Sequence, residues 1–363
     1  MNILIAGHGN VGKALLSVLD KHPIDGIGDI HIAELKDGND AASSIVRLKD
    51  RLDVVVDATP DEDNGIIPLC EEYNLHYIDT CYVLTPEMLA VLSPAEKWKS
   101  PNTKMWGFGM NPGLIEYMYR KQNLNESHIV IEFETDTAEH DSGLFHTWSP
   151  EEYITETSIN APYAIIDGKM QHIPYMKADT DVELTIDGQN RKYLWTPHEE
   201  LYLMAGANPY CELAAFLYSA STKVQEHALL LRKDKTLLQS PIPVLHDING
   251  YDCVGLLICN KNGKLSYVYN KASHQECFKK YSVNGTCWQV ACGVYAALKL
   301  LPYLKPGNHT FSNLDPEFFT VVDNALEQIG FEIETSEAPM EDIVFWQRII
   351  KPFFPAKYHK KYL

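Results

Sequence analysis

The first part of the chain alternates between short apolar runs and a segment with helical periodicity. The run Ile3–Ala6 predicts a buried strand, and Ile30–Ala33 predicts a second one. Between them, apolar residues recur with the spacing of one buried helix face, at Val11, Ala14, Leu15, Val18 and Leu19. Asp53–Thr59 is nearly continuous in apolar residues, which is typical of a parallel strand covered on both faces. The pattern predicts an α/β domain with a parallel sheet.

The alternation continues to a turn. His76–Thr80 predicts a further strand, and Met105–Gly109 ends the alternating region at Asn111–Gly113. Ligands of parallel sheets bind in the crevice outside the carboxyl ends of the strands. We therefore expect the residues at two strand ends to line a ligand site: Ala58 and Thr59, then Asp79 and Thr80.

The character of the chain changes after a helical segment at Leu114–Lys121. Later segments are strand-like and separated by Gly, Asn and Asp turns: His128–Thr137, Val182–Ile186, Tyr193–Trp195 and Val254–Cys259. They predict a second, α+β domain on a mixed or antiparallel sheet. Trp288–Leu301 predicts a buried helix that returns to the first domain. We place the domains at residues 1–115, 116–285 and 286–363, the last as C-terminal helices packing on the first domain.

Glycines follow the first strand at the spacing that a dinucleotide needs. The segment Gly7–Gly12, with the sequence Gly-His-Gly-Asn-Val-Gly, joins the strand to the helix. Gly7 permits a tight turn, Gly9 lets the backbone approach a pyrophosphate, and Gly12 lets the helix pack close to the strand. The pyrophosphate would lie at the helix N-terminus, beside Asn10 and Val11. The alternative is a glycine turn in another kind of α/β protein.

An acidic residue, Glu34, ends the second predicted strand, about twenty residues past the last glycine. A carboxylate at this position accepts hydrogen bonds from the adenosine ribose and repels a 2′-phosphate. It therefore favours NAD over NADP as the cofactor. Lys36 lies close by and leaves NADP as the alternative.

Composition narrows the classes of partner. The 363 residues carry a formal net charge of −18, from 49 acidic and 31 basic residues. This balance argues against nucleic acid, whose phosphates need clustered Lys and Arg, and it is compatible with a cationic substrate. No apolar run approaches the roughly twenty residues that cross a bilayer, so we expect a cytoplasmic protein without a membrane partner. The eight cysteines form no C-x-x-C pair, which indicates reduced thiols and no metal site.

Several polar residues are hard to explain by packing alone. Asn111 lies in a turn, Glu134 lies inside a strand that is otherwise apolar, and Trp148 precedes Glu156. The segment His198–Glu200 completes the set. Taken singly, each has a simpler explanation: a plain turn, a solvent-facing strand position, a core tryptophan, a solvated helix face and a structural histidine.

As an ordered set, these residues resemble the homospermidine synthase branch of the saccharopine dehydrogenase-like proteins. The resemblance extends from Asn2 to about Pro302, with Trp148 and Glu156 as its most specific spacing. It is carried by Gly7–Gly12, Tyr77–Thr80, Asn111–Gly113, Glu134–Thr137, Thr147–Ser149 with Glu156, His198–Glu200, Asp247–Ile248 with Asp252, and Asn284–Thr286 with Gln289–Val290. It implies an N-terminal Rossmann domain, a second α+β domain, and a homodimer formed through the second domain's sheet.

The resemblance also implies a reaction of polyamine biosynthesis with no net redox change. NAD+ takes a hydride from the carbon that bears one amine of putrescine, which gives an imine. A second diamine displaces ammonia, and return of the hydride gives homospermidine. The cofactor supplies this chemistry, while the protein must orient the amines and hold their charge.

The residue types suit that task. The implied anchors for ammonium groups are Glu134, Glu156 and Glu200. His198 is the implied proton acceptor, since the pKa of histidine lies near the working pH. Trp148 would hold an ammonium or iminium group over its ring, and Asn111 would fix the substrate or the nicotinamide.

Two segments depart from the family. Cys81–Leu84 is uncharged where the family has an acidic residue followed by Pro-Trp, and Asn160–Tyr163 replaces a Gly-Trp-Gly-Thr-His segment. The chain is also shorter than bacterial homospermidine synthases, mostly in its loops and C-terminal region. We expect one amine anchor to be absent, which leaves the second substrate open.

Two other functions remain as alternatives. One is a reductase that joins an amine to a carbonyl compound, as in saccharopine reductase or carboxynorspermidine dehydrogenase. Such enzymes bind a substrate carboxylate with arginine, for which Arg191 and Arg120 are the candidates. The other is a non-catalytic NAD-binding protein.

Overall fold

The structure of the protein is a computed structural model that describes residues 1–34, 40–59, 65–82, 101–173, 182–186, 188–234 and 242–338. The chain forms two compact units, and the first contains Met1–Tyr117 and Cys277–Glu332. The second contains Met118–Glu276 and the described residues from Ile333 onward. The expectation that all of 286–363 packs on the first domain is therefore corrected, since the chain joins the second unit at Ile333. Lys36 lies outside the described residues, as do Val83 and Leu84.

The secondary structure follows the predicted order. The strands are β1 Ile3–Ala6, β2 Ile30–Ala33, β3 Val54–Asp57, β4 His76–Asp79, β5 Thr103–Met105, β6 His128–Asp136, β7 Tyr163–Ile166, β8 Lys169–His172, β9 Val182–Ile186, β10 Gln189–Thr196, β11 Cys211–Ser219, β12 Tyr251–Asn260, β13 Leu265–Ser273, β14 Gly307–His309 and β15 Glu334–Glu337. The α-helices are α1 Asn10–Lys21, α2 Ala41–Leu48, α3 Ile66–Tyr73, α4 Leu114–Lys121, α5 Pro150–Ile154, α6 Glu200–Ala207, α7 Thr222–Lys233, α8 His274–Tyr281, α9 Gly285–Leu300 and α10 Phe319–Ile329. A π-helix, Thr155–Ile159, follows α5, and short 3₁₀ helices lie at Leu301–Tyr303, Phe311–Asn313 and Pro316–Phe318.

The first unit contains a parallel sheet of six strands in the order β14-β5-β4-β3-β1-β2. Ile3 of β1 pairs with Ile30 on one side and Val54 on the other. β1 and β3 are buried at every position, as their continuous apolar sequences predict. The order of strands reverses between β1 and β3, and in such Rossmann sheets ligands bind at that point.

The helix α9 forms much of the core of the first unit. It begins after Asn284, whose side chain accepts a hydrogen bond from the N–H of Cys287 at 3.0 Å. Its residues are buried on nearly every face, and it packs against α1. This confirms the buried helix predicted at Trp288–Leu301. Among the residues that the structure describes, no helix combines the length and the apolar character needed to cross a bilayer.

The second unit is built on a mixed sheet of nine strands. Seven strands lie in the order β15-β13-β12-β6-β11-β10-β9, and β7 with β8 extends it from β11. β6 runs parallel to β11 and antiparallel to β12, so two long strands flank it along its whole length. An apolar core covers one face and includes Phe133, Trp195 and Leu257. Residues that alternate with these positions lie on the opposite face.

Candidate active site

The loop between β1 and α1 has the conformations that its glycines predict. Gly7 has a φ of +95°, and a Cβ on it would lie 2.7 Å from the carbonyl oxygen of Ala58. A Cβ on Gly12 would lie 2.0 Å from the carbonyl oxygen of Gly7, so the helix packs directly on the turn. A Cβ on Gly9 would meet no atom within 4 Å. Gly9 therefore borders open space, where a pyrophosphate would approach the backbone.

The N-terminus of α1 faces the same loop. Gly9 is its N-cap residue and supplies no capping side chain. The first N–H groups of an α-helix have no acceptor within the helix itself. This helix end fits a phosphate group, because the N–H groups and the helix dipole both favour negative charge there.

Glu34 lies directly after β2, as predicted. One of its carboxylate oxygens is 3.7 Å from Nδ1 of His8, and the two side chains are 28% and 33% exposed. The carboxylate therefore remains accessible from the glycine loop. Together, the loop, the helix end and Glu34 fit the adenosine half of a dinucleotide.

The strand ends near the switch point are fixed by local hydrogen bonds. Asp57 accepts from the N–H and the hydroxyl of Thr59 at 3.0 and 2.7 Å. Asp79 is buried and accepts from the N–H of Gly107 at 2.5 Å, while Thr80 after it is partly exposed. Asp79 thus holds the backbone that follows β5. The contacts of these residues with a cofactor stay a prediction.

Asn111 lies in a tightly packed turn of the first unit. The N–H of Gly109 donates to the carbonyl of Pro112 at 3.1 Å, which closes the turn. A Cβ on Gly113 would lie 2.3 Å from the carbonyl oxygen of Gly109, and a Cβ on Gly293 of α9 would lie 2.1 Å from the same atom. Backbone packing therefore fixes the turn, which carries the partly exposed Asn111.

In the second unit, β6 places acidic side chains on one face of the sheet. Phe133 points into the apolar core, so Glu132, Glu134 and Asp136 alternate onto the opposite face. Their exposures are 0%, 5% and 6%. Glu134 is therefore not a solvent-facing position. Sequence reasoning missed Glu132, although acidic residues at every second position of a predicted buried strand were a signal for it.

His198 lies two residues before α6, where it is surrounded by carboxyl groups. Its ring packs against Phe216 of β11, with the ring centroids 4.5 Å apart. Nδ1 makes a very short hydrogen bond with Oε2 of Glu200 and lies 3.6 Å from Oε2 of Glu199. Nε2 lies 4.0 Å from Oε2 of Glu156. Carboxyl groups thus face both ring nitrogens.

Burial and charge together set the protonation states in this cluster. Burial lowers the pKa of His198, but Glu200 and Glu199 raise it to well above its ordinary value. Burial raises the pKa of Glu200, but His198 holds it below its ordinary value. Burial raises the pKa of Glu156 well above its ordinary value and that of Glu199 to about 7. These directions make His198 and Glu200 an ion pair and favour the protonated form of Glu156.

Glu156 lies in the π-helix that follows α5. Ser149 caps α5 by accepting a hydrogen bond from the N–H of Glu152 at 3.3 Å. Helix α7 holds the π-helix, since Arg232 donates to the carbonyl of Thr157 and Ser158 donates to the carbonyl of Ala228 at 3.2 Å. Single π-helical turns occur frequently at functional sites. Here the turn carries Glu156 to His198.

Trp148 belongs to an aromatic group beside the acidic face. Its Nε1 donates to the hydroxyl of Tyr218 at 3.3 Å, and its ring lies edge-on to Tyr153 with 6.3 Å between centroids. Tyr218 pairs in register with Glu134 across β11 and β6. The predicted residues Glu134, Trp148, Glu156, His198 and Glu200 therefore all belong to one connected group in the second unit. Tyr218 was not predicted.

A second buried polar group lies at the end of the same strand. Asp136 accepts from the hydroxyl of Thr147 at 2.5 Å and from the N–H of Ala138 at 2.8 Å. Nε2 of His274 lies 3.2 Å from Oδ1 of Asp136, the oxygen that also accepts from Ala138. Burial raises the pKa of Asp136, but these hydrogen bonds hold it below its ordinary value. The group joins the loop before Trp148 to the sheet, and so supports its position.

The candidate for carboxylate binding, Arg191, lies at a different cavity. This cavity of about 220 Å³ is also lined by His140, Lys223 and the start of α7. The predicted catalytic residues do not line it. Arg191 shares its strand face with Tyr193, whose ring is part of the apolar core, so it lies on the face opposite Glu134. The position of Arg191 does not favour a carboxylate beside His198.

Comparison with known proteins is informative at the level of the fold. No protein-family model and no curated protein sequence matches the chain. The structure resembles a homospermidine synthase from Legionella pneumophila solved in complex with NAD, with a TM-score of 0.70, 14% identity, and coverage of 93% of this chain and 91% of that chain. It also resembles a saccharopine dehydrogenase (L-Glu forming) from Saccharomyces cerevisiae, with a TM-score of 0.64, 13% identity, and coverage of 93% and 100%. The predicted fold, a Rossmann domain with a second α+β domain of the saccharopine dehydrogenase-like type, is thereby confirmed.

Proposed function

We propose that the protein is an NAD-dependent enzyme of the homospermidine synthase type, which transfers an aminobutyl group from one diamine to another. The observation that carries this proposal is the set of carboxyl groups around His198, which are Glu134, Glu156, Glu199 and Glu200. A bound cation stabilises such a set, because it can replace the protons that burial imposes on the carboxyl groups. A protonated diamine has a cation at each end and an apolar middle, which suits carboxylates beside aromatic rings.

Amine binding and proton release are coupled in this proposal. An ammonium group near Glu156 favours the carboxylate form of that residue, so its proton leaves. The same positive charge disfavours the imidazolium form of His198. The neutral imidazole then accepts a proton through Nε2 from the reacting amine, because Nδ1 is already bonded to Glu200.

The aromatic residues Trp148 and Tyr218 stabilise the charged intermediate. Once the amine carbon has given up its hydride, the positive charge is shared between carbon and nitrogen as an iminium. The Trp148 ring, held by Tyr218, stabilises this charge on its face. The second amine then adds to the carbon and ammonia leaves, so one C–N bond forms and one breaks. Glu156 and Glu134 hold the distal ammonium groups during this exchange.

The cofactor is NAD, which supplies the hydride acceptor and later the hydride donor. The residues that would hold it are in the first unit: Gly7, Gly9, Gly12, Asn10 and Val11 for the pyrophosphate, Glu34 for the ribose, and Ala58, Thr59, Asp79 and Thr80 at the strand ends. Open space at Gly9 and the start of α1 directly after it support this assignment.

The proposal is tested by incubating the protein with NAD+ and putrescine labelled with deuterium on the carbons beside the amines. We expect homospermidine in the mass spectrum, with the label returned to the new secondary amine and no accumulation of NADH. Steady formation of NADH with each product would instead indicate an ordinary dehydrogenase. Turnover only with NADH, an amine and a carbonyl compound would indicate the reductase alternative. Bound NAD without any amine chemistry would indicate a non-catalytic NAD-binding protein.

A further inference from the structure

Glu132 is the most deeply buried acidic residue of β6, and the proposed chemistry gives it no task. Its side chain is 0% exposed, and it pairs in register with Phe216 on one side and Leu256 on the other. Neither of its carboxylate oxygens has a donor from a neutral or cationic group of the described residues. An isolated buried carboxylate of this kind would be costly, so the group needs a proton or a cation.

The carboxyl group of Glu200 is the partner of Glu132. A carboxyl oxygen of each residue lies within 4.8 Å of the other, and Oε1 of Glu200 likewise has no donor among the described residues. Two carboxylates cannot bond to each other unless one of them carries a proton. Oε2 of Glu200 already accepts from His198. The proton therefore belongs on Glu132, which can donate it to the free oxygen of Glu200.

The charges around the pair agree with this assignment. The groups that face Glu132 are Glu200 and His198 from the start of α6 and Glu134 from its own strand. Those that face His198 are Glu199, Glu200 and Glu156. Burial and then the charge of Glu200 raise the pKa of Glu132 well above its ordinary value, while His198 keeps Glu200 ionised. With one proton on Glu132, the trio with His198 and Glu200 has no net charge.

A metal ion is the other group that such a trio suggests. Glu132, His198 and Glu200 each offer a ligand atom, and these atoms lie within 4.8 Å of one another. An ion would need one ligand atom from each residue at about 2.0 to 2.2 Å. Nδ1 of His198 and Oε2 of Glu200 are instead hydrogen-bonded directly to each other, so this pair of atoms is not arranged around an ion. The geometry favours a proton.

We propose that Glu132 is a positioning residue, which stays protonated and donates a hydrogen bond to Glu200, so that Glu200 holds His198 with Nε2 facing the amine. This inference rests on the proposed function, because it assigns His198 to the amine. The hydrogen bond from Glu132 partly neutralises the carboxylate of Glu200. It therefore weakens the attraction between Glu200 and the imidazolium of His198. Without it, Glu200 would stabilise the imidazolium form more strongly, so a smaller fraction of His198 would be neutral and able to accept a proton.

The test compares two variants of nearly the same size with a packing control. Glu132→Gln keeps a neutral donor for Glu200, so it should retain amine turnover within about threefold. Glu132→Met removes the donor and should lower kcat/KM by about tenfold, as expected for a lost hydrogen bond to a charged group, with NAD affinity unchanged. Leu256→Met changes the packing on the neighbouring strand and should behave as the unaltered protein.

Two spectroscopic measurements make the test independent of turnover. In the NAD-loaded protein without amine, the nitrogen NMR signals of His198 should titrate at higher pH in Glu132→Met than in the unaltered protein, while Glu132→Gln should match the unaltered protein. The infrared band of a protonated carboxyl group at neutral pH should lose intensity in Glu132→Gln. These results with no turnover of any amine would refute the proposed function and leave the position of the proton intact.

Other outcomes overturn the inference. If Glu132→Met does not fold, the infrared band and the turnover of Glu132→Gln still decide. A Glu132→Gln variant that keeps the full infrared band shows that Glu132 carries no proton. A stoichiometric metal ion that copurifies with the unaltered protein and is lost from Glu132→Gln shows that the trio is a metal site. Equal His198 titrations in all variants show that Glu132 does not act on His198.

Discussion

The indole nitrogen of Trp148 donates a hydrogen bond to the hydroxyl of Tyr218 at 3.3 Å. Tyr218 lies on β11 in register with Glu134 on β6, so this bond ties a loop residue to the acidic face of the sheet. Trp148 itself remains partly exposed, unlike Tyr153 beside it. A tryptophan in this position is suited to a ligand because its edge is held while part of its ring stays accessible.

Removal of the Trp148 ring should affect catalysis more than stability. We expect Trp148→Leu to lower kcat/KM for the diamine by about ten- to thirtyfold, because a cation–π contact is lost. Trp148→Phe keeps a ring that attracts a cation more weakly, so its kcat/KM should lie between those of Trp148→Leu and the unaltered protein. Tyr218→Phe is the control that removes only the hydrogen bond. It should lower kcat/KM by less than Trp148→Leu does. Near-normal kinetics of Trp148→Leu with a lowered Tm would indicate a structural tryptophan.

Two glycines of the cofactor loop should respond differently to the same substitution. Gly9→Ala adds a Cβ where no atom lies within 4 Å, so Tm should be unchanged while NAD binding weakens by about tenfold or more. Gly12→Ala adds a Cβ 2.0 Å from a backbone oxygen, so it should destabilise the unliganded protein by about 1–3 kcal/mol. Calorimetry of unfolding and of NAD binding measures both. Normal NAD affinity in Gly9→Ala would place the pyrophosphate elsewhere.

Glu34 should decide between the two dinucleotides. Its accessible carboxylate favours a ribose hydroxyl and repels a phosphate, so the unaltered protein should bind NAD more tightly than NADP. Glu34→Ala should narrow this preference, because it should weaken the binding of NAD and strengthen the binding of NADP. Equilibrium titration of both cofactors with both proteins provides the comparison. Tighter NADP binding by the unaltered protein would contradict the assignment.

Amine binding should release protons through Glu156. The pKa of Glu156 is well above its ordinary value in the free protein, and a bound ammonium group favours the charged carboxylate. Titration calorimetry with putrescine in buffers of different ionisation enthalpy should therefore show net proton release near neutral pH. Glu156→Gln should reduce this release and impair turnover, with NAD affinity unchanged. A Glu156→Gln variant with full diamine activity would remove Glu156 from the site.

The same groups should make the protein less stable as the pH rises. Glu156 and Glu199 have raised pKa values in the folded protein, with Glu199 at about 7, so the folded state binds more protons than the unfolded state from about pH 4.5 upward. The raised pKa of His198 acts in the same direction, since its contribution is lost as the pH rises through its folded value. The free energy of unfolding should fall over this window. Urea denaturation of the unaltered protein and of Glu156→Gln should show a weaker fall in the variant.

The sequence alone determined much of the first unit. Continuous apolar strands, the glycine spacing and the acidic strand end are local features, because strand burial and turn conformation depend on residues close in the chain. The observed β1, β3 and β4 lie within the predicted segments, and Gly7, Gly9 and Gly12 have the geometries that their positions predict. The buried helix α9 was likewise evident from its composition.

Tertiary structure decided the site in the second unit. Whether Glu134 faces solvent or the interior depends on which strands flank β6, and β11 and β12 come from distant parts of the chain. The approach of Glu156 to His198 depends on a π-helical turn that helix α7 holds in place. The proton on Glu132 depends on Glu200, which lies far along the chain from it. The burial of a group and the charges around it depend on residues that are close in space but distant in the chain. The spacing of residues in the sequence therefore predicted several members of the site but not their protonation states.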